Sequence, residues 1–196
     1  MRAGCLWVGG RRGNGYSWGM TTPAANVSSS RPVMVLIGLG SNLCPETHVP
    51  FALRELRARF TEVRVSTIYW TRPLKGLDQP RYANGVVTAT TSLLPCQVKR
   101  VLRDLEDRAG RERQPGKSHA PRTLDLDLLT YGDGLVPELG LPDEELVDRD
   151  FVLLPAAELR PDWRHPLLGK TLADLARELF PGLPNIIGPV TFPLGG

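Results

Sequence analysis

The sequence predicts an α/β (α+β) fold of ferredoxin-like type, a split β-α-β-β-α-β core in one domain with additional C-terminal elements. Three observations carry this. Short apolar or alternating runs occur at 33–37, 62–70, 85–91 and 123–131. Apolar residues at helical spacing fill the stretch after the first run and the stretch after the third. The remaining connections hold the turn formers.

Val33-Met34-Val35-Leu36-Ile37 is a continuous apolar run ahead of Gly38, the pattern of a buried strand. Gly40-Ser41-Asn42 marks a turn. Over 46–60, Val49, Leu53, Leu56 and Phe60 recur at helical spacing with Arg54, Glu55, Arg57 and Arg59 between them. Val63, Val65, Thr67 and Tyr69 alternate with other residues, so 62–70 reads as one strand. Residues 71–81 form a loop, and 85–91 a third strand. Pro95 suits the first turn of a helix whose apolar face is Val98, Val101, Leu102 and Leu105, ending near Gly110. A second irregular loop spans 110–121, and 123–131 alternates as the fourth strand. Helices or turns over 151–159 and 171–180 are expected to cover the sheet. From Pro181, Gly182, Pro184, Gly188, Pro189 and Pro193 predict a loose tail over 181–196.

The 196-residue chain is 41% apolar and 23% charged, ordinary for a globular protein. It has no apolar run long enough to span a bilayer, so no membrane association is expected. The formal charge of +3 is unevenly placed. Arg2, Arg11, Arg12 and Arg31 lie in 1–32, which holds no acid, leaving 20 basic and 21 acidic residues and a net of −1 in 33–196. The body is therefore not a basic nucleic-acid binder by charge, and no nucleic-acid partner is expected. Residues 1–32, rich in glycine and serine, read as a disordered, dispensable leader to a domain at 33–180. Cys5, Cys44 and Cys96 are scattered and form no Cys-x-x-Cys pair, which suits a reducing cytoplasm. His48, His119 and His165 show no metal-ligand spacing.

Asp125 and Asp127 are the centre of the chemistry. On a strand, residues two apart point to the same face, so two carboxylates project together while Leu124, Leu126 and Leu128 enter the core. Such a pair repels itself, and a divalent cation such as Mg²⁺ relieves that repulsion through hard oxygen ligands. An isolated Asp-x-Asp is more often the solvated face of a half-buried strand. Here Arg111, Arg113 and Arg122 lie nearby in sequence, and guanidinium groups pair with phosphate in a forked geometry. Acids for metal beside bases for phosphate are the recurring parts of phosphoryl transfer. The Walker glycine-lysine loop is absent, and Gly38-x-Gly40 does not continue as a dinucleotide fingerprint. A non-catalytic nucleotide-binding module and another metal-dependent phosphotransferase remain the alternatives on these residues alone.

Pro121-Arg122-Thr123-Leu124-Asp125-Leu126-Asp127-Leu128-Leu129 resembles the signature of the 6-hydroxymethyl-7,8-dihydropterin pyrophosphokinase family. Four further pieces agree in order: Gly40-Ser41-Asn42-Leu43; Tyr69-x-Thr71 before Gln79-Pro80-x-Tyr82-x-Asn84; Glu106 before Gly110-Arg111-x-Arg113; and Arg149-x-Phe151-Val152-Leu153-x-Pro155. The resemblance covers about 34–180. Asp143 departs from it, following Leu141-Pro142 where well-known members carry histidine.

The resemblance implies transfer of pyrophosphate from ATP to the pterin hydroxymethyl oxygen, with AMP as the other product, in folate biosynthesis. It implies two Mg²⁺ ions on Asp125 and Asp127, with Arg113 and Arg122 joining them as catalytic residues. Glu106, Arg111, Arg113, Arg122 and Arg149 would lie against ATP. Thr71, Leu74, Tyr82, Asn84 and Phe151 would form the pterin pocket. A functional link to dihydropteroate synthase follows from the same pathway.

Overall fold

The computed structural model describes residues 31–112 and 120–194. All but the last two residues of the expected leader, and Arg113, lie outside the described residues.

Six strands form one sheet: β1 (Val33–Ser41), β2 (Thr61–Val65), β3 (Tyr69–Thr71), β4 (Tyr82–Thr91), β5 (Asp125–Tyr131) and β6 (Ile186–Pro189). The order is β5-β1-β4-β3-β6, with β2 also pairing β4, and every pairing is antiparallel. The helices are α1 (Pro45–Arg59), α2 (Pro95–Arg108), α3 (Glu145–Asp148), α4 (Asp150–Leu159) and α5 (Leu172–Leu179). The first strand and the fourth expected strand, β5, flank each other, and β4 lies on the other side of β1, as the split arrangement requires.

Alternation along the strands divides the core in two. Val35, Ile37, Leu39, Val87, Leu126 and Leu128 face α1 and α2, meeting Leu53, Leu56, Leu102 and Leu105. Leu36, Val86 and Leu129 face the opposite way, against Val152, Leu153 and Ala156 of α4 and Leu172 and Leu175 of α5. The sheet is thus the middle of three layers. Each fully buried leucine contributes about 1.5–3 kcal/mol from burial.

Three expectations need correction. β1 does not stop before Gly38 but runs on to Ser41, because β4 and β5 pair with it on both sides through Gly40. The single strand expected over 62–70 is broken between β2 and β3. There the Ser66 hydroxyl accepts the Val86 N–H at 2.9 Å and takes the place of a ladder carbonyl. The loose tail is overturned: β6 pairs with β3, the Val190 N–H donates to the Ile68 carbonyl at 2.8 Å, and Val190, Phe192 and Leu194 pack on the first core cluster. Prolines misled here because β6 is an edge strand and Pro189 ends it, where a missing N–H is tolerated.

Candidate active site

The site lies on the α4–α5 face of the sheet. Antiparallel partners share a face, and one row across the strands reads Asp125 opposite Gly40, Gly40 opposite Asn84, and Asn84 opposite Tyr69. The next row reads Asp127, Gly38 and Val86. Val86 belongs to the part of this face that the helices cover. α4 lies along β4 with Glu158 bonded at Thr67 and Asp150 bonded at Asn185. Past the first turn of α4, the floor is carpeted by Gly38, Gly40, Tyr82, Asn84, Asp125 and Asp127.

Gly40 keeps that floor open. A Cβ there would lie 2.7 Å from Asn84 Oδ1 and 3.7 Å from Asp125 Cβ, so even alanine would press on the amide. Asn84 is fixed by its Nδ2, which donates to Thr71 Oγ1 at 2.7 Å. Tyr82 donates to Gln79 Oε1 at 3.2 Å, and burial pushes its phenol pKa up, so it stays a proton-bearing donor. Leu74 sits half-buried on a 3₁₀ turn, Leu74–Gly76, and Phe151 is half-buried in the first turn of α4 against the second core cluster.

The β5 end is electrostatic. Arg111 pairs with both Glu106 and Asp125, and Arg122 pairs with Asp125. Glu106 is 5% exposed, and its Oε1 accepts the Leu126 N–H at 3.0 Å, pinning β5 between the two aspartates. Burial, then the facing charges of Asp125, Glu106, Glu145 and Asp143, push the Asp127 carboxyl up to about 7. Its side chain is nonetheless exposed, so the crowding is one-sided and the carboxyl is open to an ion from solution. Arg149, at the N-terminus of α4, has a buried Nε without a hydrogen-bond partner and pairs with Glu145 at 3.9 Å.

The structure therefore gathers Glu106, Arg111, Arg122, Asp125 and Asp127 at one end and Thr71 and Asn84 at the other, with Gly40 between and Tyr82 reaching Arg122 from the Asn84 strand. Arg149, Phe151 and Leu74 stand at the border, and Arg113 lies outside the described residues. Sequence reasoning missed Asn42 and Glu145, and it placed Asp143 only as a departure from the family pattern. Asn42, read only as a turn residue, is buried and ties three segments: its Oδ1 accepts the Arg122 N–H at 2.8 Å, and its Nδ2 donates to the Pro80 carbonyl at 3.3 Å and to Gln79 Oε1 at 3.4 Å. Asp143 and Glu145 come to the aspartates because the Asp143 N–H donates to the Leu129 carbonyl at 2.8 Å. Asp143 Oδ1 in turn accepts the Glu145 N–H at 3.0 Å. No spacing in the sequence signals that return.

A divalent metal fits this donor set. The available ligands are all carboxylate oxygens, and Asp127 carries like charge that a cation would relieve. Among the described residues no group of three or more His, Cys, Asp or Glu side chains could enclose a metal. A cation held here would therefore complete its shell with oxygens that the protein does not supply. A separate depression of about 670 Å³, lined by residues including Asp133, Arg160, Trp163 and His165, contains none of these groups. Arg160 there is already paired with Asp133 at 3.6 Å, and the site's chemistry lies elsewhere.

The family model described as 7,8-dihydro-6-hydroxymethylpterin-pyrophosphokinase (HPPK) matches residues 36–161. The 2-amino-4-hydroxy-6-hydroxymethyldihydropteridine pyrophosphokinase of Pseudomonas aeruginosa is 41% identical over 138 residues, 67% of this chain and 83% of that protein. The protein of the same name from Synechocystis sp. is 38% identical over 149 residues, 74% of this chain and 75% of that one. The Arabidopsis thaliana folate synthesis bifunctional protein is 37% identical over 129 residues, which make up 64% of this chain and 26% of that protein. A crystal structure of wild-type Plasmodium falciparum HPPK-DHPS with pterin and p-hydroxybenzoate superposes with a TM-score of 0.55 at 12% identity. It covers 76% of this chain, and the chain spans 43% of that bifunctional one, a likeness of fold alone. With its signature strand and these matches, the chain belongs to the 7,8-dihydro-6-hydroxymethylpterin-pyrophosphokinase family.

Proposed function

We infer that the chain transfers the terminal diphosphate of ATP to 6-hydroxymethyl-7,8-dihydropterin in folate synthesis. The observation that carries this reading is the shared sheet face, with Asp125 on one side of Gly40 and Asn84 on the other. The hydroxymethyl oxygen forms a bond to the β-phosphorus as the bond from that phosphorus to the bridging α-phosphate oxygen breaks. The electron pair leaves with AMP, and the hydroxyl proton passes to solvent.

The residues divide the work by position. Asn84, its amide oriented by Thr71, and Tyr82 present donors and acceptors to the pterin edge, while Phe151 offers a ring to its flat bicycle. The backbones of Thr71 and Leu74 line the same pocket. Arg111, Arg122 and Arg149 meet the phosphates, Arg149 with an Nε that no protein group hydrogen-bonds. Glu106 acts here chiefly by holding Arg111 and the Leu126 amide. Arg113 is assigned with the phosphate-binding arginines on the family pattern alone. Asp125 and Asp127 would hold two Mg²⁺ ions, which supply charge neutralisation and in-line alignment of the triphosphate.

No helix among the described residues is long and apolar enough to cross a membrane. We place the protein in the cytoplasm on its scattered cysteines. The fused relatives support a functional link to dihydropteroate synthase. The test is to supply ATP, Mg²⁺ and the hydroxymethyl pterin and to follow AMP and pterin diphosphate together. Equal amounts of the two products are expected; ATP turnover without pterin diphosphate would refute the transfer.

A further inference from the structure

Beyond residue 161, where the family match ends, the chain returns to the site. Asp150 is fully buried in the first turn of α4. Three N–H groups converge on its carboxylate. The Phe151 amide and Asn185 Nδ2 donate to Oδ1, each at 2.9 Å, and the Asn185 amide donates to Oδ2 at 2.9 Å. A buried carboxylate is costly unless its lone pairs are met, and Asn185 supplies two of the three donors.

The same segment is bonded on its other side to β3. The Asn185 carbonyl accepts the Arg72 N–H at 2.9 Å, and the Pro184 carbonyl accepts from the Arg72 guanidinium at 3.0 Å. Ile186 then pairs with Thr71, the residue that orients Asn84. Residues 184–190 therefore bridge the helix end that carries Phe151 and the strand that carries Thr71.

We propose that Asp150 and Asn185 are positioning residues for the pterin, their clasp setting the width of the slot between Phe151 and the Thr71–Asn84 floor. This rests on the pterin pocket assigned above. A flat ligand gripped between a ring and a strand is sensitive to that width, whereas of the arginines assigned to ATP only Arg149 adjoins the clasp, and Arg111 and Arg122 lie at the end of α2 and before β5, which the clasp does not touch. Asn185 is thereby a determinant of pterin affinity that lies outside the family match.

The experiment compares Asn185→Ala and Asn185→Asp in the full chain. The first removes one donor and leaves the backbone bond; the second sets a carboxylate against buried Asp150. Pterin binding is read by pterin fluorescence, and KM for pterin and for ATP by AMP formation. Thr171→Ala serves as a control: it loses the α5 N-cap, where Thr171 Oγ1 accepts the Asp174 N–H at 3.1 Å, and none of the pocket or phosphate residues. Asn84→Ala and Phe151→Ala test the pocket itself. We expect Asn185→Asp to weaken pterin binding and raise its KM about tenfold, and Asn185→Ala to do so severalfold. KM for ATP should move less than about threefold, and Thr171→Ala should lower Tm without changing pterin KM. If Asn185→Asp does not fold, Asn185→Ala decides. Unchanged pterin affinity in the Asn185 variants, or an equal rise in both KM values, overturns the proposal when Asn84→Ala and Phe151→Ala raise pterin KM. If those two leave pterin KM unchanged, the pocket assignment fails and the proposal falls with it.

Discussion

Asp125 and Asn84 face each other across a single residue without a side chain, Gly40, on the central strand of the sheet. The carboxylate belongs to the end of the site where phosphates would bind, the amide to the end where pterin would bind. On the proposed assignment the two substrates would meet across the width of β1.

Replacing that glycine should close the gap. In Gly40→Val the Cβ would press on Asn84 Oδ1, and the Thr71 bond prevents the amide from swinging freely away. We expect an overpacking cost of about 1–3 kcal/mol in stability and a larger effect on pterin than on ATP. Pterin KM should rise about tenfold or more, since misplacement near the reacting atoms is costly in rate. Steady-state kinetics with each substrate varied in turn would check this, and equal sensitivity of both substrates would contradict it.

Glu106→Ala should damage both fold and chemistry. It would leave the Leu126 N–H without its acceptor and take the Glu106 carboxylate from Arg111, which would keep Asp125. A buried donor left unsatisfied costs about 1–3 kcal/mol. Glu106→Gln keeps an acceptor for Leu126 but loses the charge that Arg111 meets. Its Tm should therefore fall less than that of the alanine variant, while ATP affinity falls in both. A glutamine variant with parental ATP affinity would show that Arg111 needs no such anchor.

Asn42→Ala tests the knot between the two half-sites. The lost amide spans Arg122, beside Asp125, and Pro80 and Gln79, beside Tyr82. Three bonds to a buried side chain vanish together, so stability should fall by about 2–3 kcal/mol. KM should rise for both substrates, unlike the pterin-selective effect at Gly40. Parental values for both would refute the knot.

The core and the placing of Asp125 and Asp127 on one face were legible because they depend on local periodicity. The Asp125/Asp127 pair follows from strand alternation, and the faces of α1 and α2 follow from helical spacing. What stayed hidden depends on contacts between distant residues. Asn42 looks like an ordinary turn residue, since its partners lie near 80 and 122. Ser66 interrupts a strand that reads as continuous, because its hydroxyl competes with the backbone for the Val86 amide. Proline and glycine density after 181 signals a break in local structure and carries no information about an edge strand that pairs with β3 or a side chain that closes on Asp150. The return of Asp143 and Glu145 to the aspartates depends in the same way on a backbone bond to Leu129.

Asp127 gives the sharpest test, because its effects on stability and on catalysis have opposite signs. Its carboxyl titrates near 7 in the folded protein, raised from 3.8 by burial and by the carboxylates around it. A carboxyl whose folded pKa lies above its unfolded value favours the fold at low pH. Between about 4 and 7 the unfolded chain ionises while the folded chain still holds the proton, so stability falls as pH rises and then levels off. Since the side chain is exposed, solvent screening limits the penalty to about 1–2 kcal/mol above pH 7. Asp127→Asn removes it. Without metal, the variant should melt about 2–8 °C above the parent at pH 8 and level with it near pH 4. In the presence of ATP, Mg²⁺ and pterin it should lose most of its activity, because the carboxylate is needed once a cation and a triphosphate must be held. Deletion of a main electrostatic element costs several kcal/mol in barrier, a rate loss of about 10²–10³-fold or more. Thermal melts across pH and AMP formation at saturating Mg²⁺ measure the two halves. A variant that melts lower than the parent at pH 8 would contradict the electrostatic account of the apo site. One that turns over like the parent would remove Asp127 from the metal site.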